Sequence, residues 1–444
     1  MDFTVENKQS LFQLVTLGVF AALAVVGVIV LALPSDGGSR GEQAIPTTPI
    51  TIWGASMPAV YDMDYAFAEM GKRYPVLQKI TYREKHPETI YPDLLEAIAA
   101  GSGIPDIILF NQSELLTLQS KLYKIPYKTY PLATYQDTYV ESASVYLDSE
   151  GVYALPIAVD PLVLFWNRDL FRSAAIPQVP DDWTSFVDTV PLLTETQNGA
   201  DVVRAGVALG EYDNVLHAKE ILSALLLQLR VPIVTSRNTT YQARITGSGS
   251  GADSTAALRF YTDFSNPRKL VYTWNKTFER SLEAFASNKL AMYFGFVSEI
   301  DLINNLNPNL NFNVSTFPQS SSPESTKTTY ANVYAVGITA NSPHKTRAYQ
   351  VAQFLASGTM AGPLQALLEL PSARRDSLPV APDDPYQRVL VQSAIMAQTW
   401  PEPRGGQADQ IFRAMVNNVT TRESRLEGAI STAQSQLSAA LSSE

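Results

Sequence analysis

Residues 151–171 read GVYALPIAVDPLVLFWNRDLF, a long apolar stretch broken once, by Asp160-Pro161. Pro161 has no N–H to give to a ladder, so the chain is expected to cross between pairings, or to run along a sheet edge, at that point. Directly after the stretch, Asp169 to Ala174 has the look of a short helix.

Outward from this stretch, strand-like runs alternate with helix-like ones, the pattern of an α/β architecture. On the N-terminal side, Ile50–Trp53 reads as a strand, Asp64–Tyr74 as a helix, and Ile80–Arg83 as a second strand. Tyr91–Ala100 is a helix that should stop at Gly101, and Ile107–Phe110 is a buried strand. On the C-terminal side a helix is expected to start at Asp181-Asp182-Trp183, where an acid suits the helix dipole. Strands are expected over Ala205–Leu209, Leu290–Phe296, Asn313–Phe317 and Val333–Ile338. Helices are expected over Ala218–Leu229, Ser254–Thr262, Arg280–Ser287, Arg347–Ala356, Tyr386–Gln398 and Gln410–Leu441. Gln319–Thr328 is a polar connection, and no solenoid-type repeat is present.

The N-terminus differs in kind. Leu14 to Leu33 (LVTLGVFAALAVVGVIVLAL) is an uncharged apolar run. At about 1.5 Å per residue it matches a hydrocarbon core of roughly 30 Å. A cleaved signal would have a shorter apolar stretch and a small-x-small site, which Leu31-Ala32-Leu33-Pro34 does not offer. The run is therefore read as an uncleaved transmembrane helix, and the Gly/Ser/Pro/Thr-rich stretch after it as a flexible spacer. The remainder is long enough for about two to three domain-sized cores.

Composition removes several function classes. There is no cysteine, so disulfides, thiolate metal sites and cysteine nucleophiles are excluded. A net charge of −10 argues against a nucleic-acid surface. The three histidines, His86, His217 and His344, sit in no zinc or Ser-His-Asp pattern. They read as loop or helix-face residues. Gly101-x-Gly103 and Gly247-x-Gly249-x-Gly251 lack the flanking pattern of a phosphate cradle. No cofactor or metal is expected. Asp160 and Glu211 each follow a strand-like run, and such a pair of acids serves glycoside hydrolysis when it flanks the bond. The same acids can instead accept hydrogen bonds from a ligand without doing chemistry.

Six segments in order resemble the extracellular solute-binding proteins of ABC importers, in the family that includes the maltodextrin-binding proteins. Ala99–Asn111 (AAGSGIPDIILFN) is similar to the family's small-G-x-PD-strand segment, and Ile50–Trp53 to its first strand. Gly151–Phe171 resembles its LP…YN-x-D-L-F block, with Trp166 in the tyrosine position. Pro180–Phe186 resembles P-x-TW-x-x-F/L. Phe285–Phe296 resembles F-x-x-GK-x-AM-x-x-x-G, with Asn288 in place of the usual glycine. Tyr334–Ser357 resembles the late strand and helix. The resemblance implies a two-lobed, periplasmic-binding-protein-like α/β fold (type II), which the apolar run places behind an N-terminal transmembrane helix. It divides the chain into an anchor (1–34), a spacer (35–48), one lobe from 49–158 with 327–370, and another from 159–326 with 371–444. It further implies a monomeric receptor, not an enzyme, held at the outer face of the cell membrane. That receptor closes by a hinge over a small solute, a carbohydrate foremost, and delivers it to an ABC permease. A glycoside-acting hydrolase and a sensory binding protein on the same fold are the rival readings.

The resemblance also nominates ligand-binding residues. Trp53 and Ser56 lie in the loop after the first strand, and Phe110, Asn111 and Gln112 after the PDIIL strand. Asp160 matches the cleft carboxylate of the maltodextrin pattern, and Glu211 with Tyr212 a strand-end loop bearing an acid and an aromatic. Phe296 and Ser298 follow the AMYFG strand, where the maltodextrin pattern has a stacking tryptophan at the Ser298 position. Trp400 precedes the loop PEPRGG, and Arg404 lies within it. Trp166, Trp183 and Trp274 read as packing residues.

Overall fold

The computed structural model describes residues 48–55, 57–58, 62–197, 201–237, 240–246, 254–380 and 382–442. The expected anchor, nearly all of the expected spacer, and Ser56 lie outside them. Among the described residues no helix is long and apolar enough to cross a membrane.

Ten strands of the described residues form one sheet: β1 (Ile50–Ala55), β2 (Ile80–Lys85), β3 (Ile107–Asn111), β4 (Ala154–Asn167), β5 (Glu195–Gln197), β6 (Asp201–Val207), β7 (Leu290–Phe296), β8 (Phe312–Ser315), β9 (Thr329–Ile338) and β10 (Ala397–Gln398). The order is β2-β1-β3-β9-β4-β7-β6-β5, with β8 also paired to β4 and β10 to β9. One half is built on β1 running parallel to β2 and β3, the other on β7 running parallel to β6. β4 and β9 join the halves. Residues up to Pro161 in β4 pair with β9, and from Leu162 onward with β7. The change of partner falls at Pro161, where the sequence places a crossing. β4 itself runs on unbroken, because a strand needs no N–H from Pro161 at the residue where it trades neighbours.

Helices cover both halves. α1 (Met63–Arg73) packs on β2, and α2 (Pro87–Ala100) ends at Gly101, whose φ of 65° is the left-handed geometry a helix C-terminus favours for glycine. α3 (Trp183–Leu193) is capped by Asp182, whose carboxylate accepts the N–H groups of Thr184 and Ser185, and packs on β6. α4 (Ala218–Gln228) and α5 (Ser254–Asp263) follow, then α6 (Ser281–Ala286) on β7 and α7 (Ile300–Leu306). α8 (Lys345–Leu355) packs on β9, α9 (Gly358–Leu368) and α10 (Pro385–Met396) on β4. α11 (Gln407–Thr420) and α12 (Leu426–Ser442) form a terminal hairpin against α4 and α5. The apolar core is continuous through the joining strands: Ile107–Phe110, Leu162–Phe165 and Ala291–Phe294 belong to one buried cluster.

Several elements differ from expectation. The single helix expected over Gln410–Leu441 is two, because Arg422 takes a φ of 65° and turns the chain. α2 starts at Pro87, where a missing N–H at the first helical position is harmless. α9 and the hairpin of Val234–Arg237 with Thr240–Ala243 were not anticipated. Asn288, standing where the family pattern has glycine, has a φ of 61° and accepts a hydrogen bond from Asn167 Nδ2 at 2.7 Å. Asparagine is one of the few side chains that tolerates this geometry.

Candidate functional site

The two halves meet where strand ends converge: the end of β3, the crossing point of β4, the end of β7, the start of β9 and the start of α4. Asp160 sits at the crossing and is 1% exposed. Its Oδ1 accepts the Ser298 N–H at 3.1 Å and its Oδ2 the Ser298 hydroxyl at 2.6 Å. Burial pushes the Asp160 carboxyl up to about 7, against the pull of those two donors, and the nearby Glu299 pushes the same way.

Glu299 organises the next layer. Its Oε1 lies 2.7 Å from His217 Nε2, and its Oε2 accepts the Tyr293 hydroxyl at 2.8 Å and the Phe296 N–H at 3.2 Å. Burial alone would lower the proton affinity of His217. The Glu299 carboxylate outweighs it, with help from Glu220 and Asp160, and holds the imidazole above its ordinary range. The His217 ring stands edge-on to Phe296, centroids 4.8 Å apart.

A second chain of bonds runs from the first half to the second. Gln112 Nε2 donates to the Tyr330 hydroxyl at 3.1 Å and to Asn332 Oδ1 at 3.0 Å, while its Oε1 accepts the Val333 N–H at 2.7 Å. The Tyr330 hydroxyl donates to Glu402 Oε1 at 2.9 Å. Glu402 also takes the Lys219 ammonium, which lies 3.2 Å from Glu220. Burial works against the Lys219 charge, yet Glu402 and Glu220 hold its proton affinity well above the usual lysine range. Across the seam, burial and the facing Glu402 raise the Glu114 carboxyl to about 7.

Beside Asp160 and Ser298 lies a cavity of about 260 Å³, whose polar lining is Ser298, Asp301, Asn305, Glu369 and Tyr386, with Pro58 on the first-half side. Glu369 caps α9 with a φ of 54°, and burial followed by the Asp301 carboxylate raises its proton affinity. The lining offers hydroxyl, amide and carboxylate groups and no basic side chain.

The nominated residues fall into two groups. Asp160, Ser298, Phe296 and Gln112 share the seam. Arg404 reaches it too: its Nε donates to the Leu116 carbonyl at 3.3 Å, and its guanidinium lies 5.6 Å over the Tyr91 ring, tying a second-half loop to the first half. The others sit in separate surroundings. Trp53 is buried inside β1, which runs two residues past it, with the Lys85 ammonium 4.3 Å over its ring. Phe110 packs edge-on to Tyr146, and Asn111 Oδ1 accepts the Ser113 N–H at 2.9 Å, turning the chain at the end of β3. Glu211 Oε2 lies 3.8 Å from Lys276 Nζ. The Tyr212 hydroxyl donates to Asp409 at 2.7 Å. Trp400 is buried, donates to Ser223 Oγ at 3.1 Å and lies nearly parallel to Phe412. Asp160 and Glu211 thus occupy different networks.

Sequence reasoning passed over His217, Lys219, Glu299 and Glu402. Two of them carried a signal, since Glu299 adjoins Ser298 and Glu402 lies two residues before Arg404. What the arrangement supports is polar recognition. Among the described residues no group of three His, Cys, Asp or Glu is placed to hold a metal ion.

Comparison with known proteins bears on the family and the fold. The model of a family described as bacterial extracellular solute-binding protein matches residues 66–387. A galactooligosaccharide-binding protein of Bacillus subtilis (strain 168) is 22% identical over 344 residues, which are 76% of each chain. A Thermotoga lettingae TMO ABC-transporter solute-binding protein, solved with alpha-D-tagatose, superposes with a TM-score of 0.65 at 21% identity, covering 89% of this chain and all of that one. The GacH receptor of Streptomyces glaucescens GLA.O, solved unliganded and with acarbose, gives a TM-score of 0.65 at 18% identity over 89% of this chain and 99% of that one. The mixed α/β fold is therefore the two-lobed fold of solute-binding proteins, and these relatives are binding proteins rather than enzymes.

Proposed function

The chain belongs to the bacterial extracellular solute-binding protein family, and from that premise we propose that it is a membrane-tethered receptor that captures a small saccharide and hands it to an ABC permease. The lobes are residues 49–158 with 327–370 and 159–326 with 371–444, and hinge closure across β4 and β9 encloses the ligand. The apolar run Leu14 to Leu33 holds the monomeric body at the outer face of the cell membrane, and the stretch that follows links the run to the body.

The observation that carries this reading is the cavity beside the buried Asp160–Ser298 pair. Saccharides present many hydroxyls, each both donor and acceptor. A lining of Ser298, Asn305, Asp301, Glu369 and Tyr386 satisfies such groups without a reactive centre. Ser56, Asp160, Gln112, Phe296 and Ser298 are the ligand contacts favoured by this reading, with Arg404 closing the seam. Trp53, Phe110, Asn111, Glu211, Tyr212 and Trp400 are the further ligand contacts that the family resemblance nominates. Binding then drives closure only to the extent that the ligand prefers the closed arrangement.

Thermal denaturation of the full chain in detergent, run against a saccharide panel, tests the reading. Galacto-oligosaccharides come first in the panel, since the Bacillus subtilis relative is named for them. A true ligand at about 100-fold its dissociation constant should add roughly 2.7 kcal/mol to stability, with the sugar recovered intact. A panel that leaves the melting temperature unmoved, or a sugar that is cleaved, contradicts it.

A further inference from the structure

Residues 112–119 are a stretch of the first lobe that the second lobe touches repeatedly. Gln112–Glu114 is a single 3-10 turn running into the short helix Leu115–Leu118. On one side of Glu114, Gln112 donates to the Tyr330 hydroxyl at 3.1 Å, and that hydroxyl donates to Glu402 at 2.9 Å. On the other side, the Leu116 carbonyl accepts Arg404 Nε and Gln119 Oε1 accepts the Tyr241 hydroxyl, each at 3.3 Å. Glu114 thus stands amid these ties, opposite the loop of Glu402 and Arg404. The two carboxyls are served differently. Glu402 is 5% exposed and is held by the Tyr330 hydroxyl and the Lys219 ammonium. Among the described residues no hydrogen bond or ion pair reaches the Glu114 side chain, which caps nothing at the head of its short helix. A partly buried carboxylate without a donor, facing a second carboxylate that has already taken the nearby cation, is a repulsive contact across a hinged seam.

We propose that Glu114 and Glu402 form a proton-operated clasp: the seam shuts with a proton on this pair, and loss of that proton drives the lobes apart. The surrounding groups leave Glu114 as the member that titrates. From β9, burial keeps the Tyr330 and Tyr334 hydroxyls protonated. From α4, burial opposes the charges of Lys219 and Glu220, but Glu402 and Glu220 outweigh it at the lysine, and Lys219 then His217 at the glutamate. From the facing loop, the Arg404 guanidinium lies 5.6 Å over the Tyr91 ring of α2. Deeper in the second lobe, Glu299 holds the proton of His217 against burial, and Asp160 has its own donors in Ser298. Glu114 is raised from 4.5 to about 7 by burial and then by Glu402, and hydration on opening returns it toward the ordinary value. The shut form therefore binds the proton more tightly than the open one. The resulting preference for closure is complete below about pH 4.5. It falls by up to about tenfold per pH unit above that, and is lost by about pH 7. Capture thus tightens as the medium around the body acidifies. The inference rests on the hinge of the function proposed above, and not on which solute fills the seam.

Lobe separation can be measured with no ligand present, so this test stands apart from the saccharide panel. The full chain in detergent carries spin labels at Leu95→Cys and Leu270→Cys, both exposed in an otherwise cysteine-free sequence. Without sugar, the mean separation at about pH 5 should be shorter than at about pH 8. Glu114→Gln and Glu114→Leu each remove the charge, and either should keep the short separation at both values. Asp160→Asn should retain the response to pH, because its carboxyl bonds within the second lobe, to Ser298. An identical distribution at both pH values in the labelled chain overturns the proposal. So does a response that survives loss of the Glu114 carboxyl, or one that Asp160→Asn abolishes. A chain that closes on acidification yet binds no saccharide supports the clasp and refutes only the saccharide reading.

Discussion

Asp160 is a carboxylate that folding carries into an apolar setting, and its proton affinity registers that move. Its ordinary value of 3.8 rises to about 7. An acid whose pKa rises on folding binds its proton more tightly in the folded chain than in the unfolded one. Its contribution to stability is therefore greatest below about pH 4 and is lost as pH climbs to about 7. His217 acts in the same sense, because a base raised above 6.5 on folding stabilises at low pH and loses that contribution as pH passes its folded value. Melting temperatures measured from pH 4 to 8 should fall more steeply for the native chain than for Asp160→Asn; superimposable profiles would show that the carboxyl is not held this way. Asp160 and Ser298 were both legible in the sequence, one from its place inside an apolar run and the other from its place after a strand. Their direct bond was not, because it joins residues 138 positions apart. The same holds for His217 with Glu299 and Lys219 with Glu402, pairs whose meaning exists only once the halves are assembled.

At the scale of elements, β1, β3, β7 and β9 were readable because each carries an apolar run with β-branched or aromatic content, whereas β5 (Glu195–Gln197) and β10 (Ala397–Gln398) carry none and were not read. Asp182 and Gly101 marked helix ends for the reasons the structure shows. The α11–α12 turn was invisible, since Arg422 adopts a left-handed conformation with no glycine or proline to announce it. Trp400 is instructive in another way. A tryptophan before a loop that reaches the seam suggests a stacking platform for a sugar, yet the ring is buried between α4 and α11, bonded to Ser223 and parallel to Phe412. Trp400→Ala should therefore cost about 3–5 kcal/mol in urea denaturation, as large-to-small changes in a packed core do. If stability is retained and only saccharide affinity falls, the indole serves the ligand and not the core.

For the whole molecule, β4 and β9 are the hinge of the account: β4 runs from one lobe into the other and β9 pairs with it up to Pro161, so a change in lobe angle must be absorbed where β4 trades partners there. Arg404 on Leu116 and Tyr241 on Gln119, each at 3.3 Å, are contacts between the lobes that opening would break. The two-lobed plan was legible from six ordered segments, whereas the seam's network of acids came only with the fold. Spin labels at Leu95→Cys on the first lobe and Leu270→Cys on the second, both exposed in an otherwise cysteine-free chain, report the separation directly. With a saturating saccharide, the inter-label distance distribution should narrow and shift to a shorter mean while the sugar stays chemically intact. A distribution that is the same with and without a bound saccharide would contradict capture by closure.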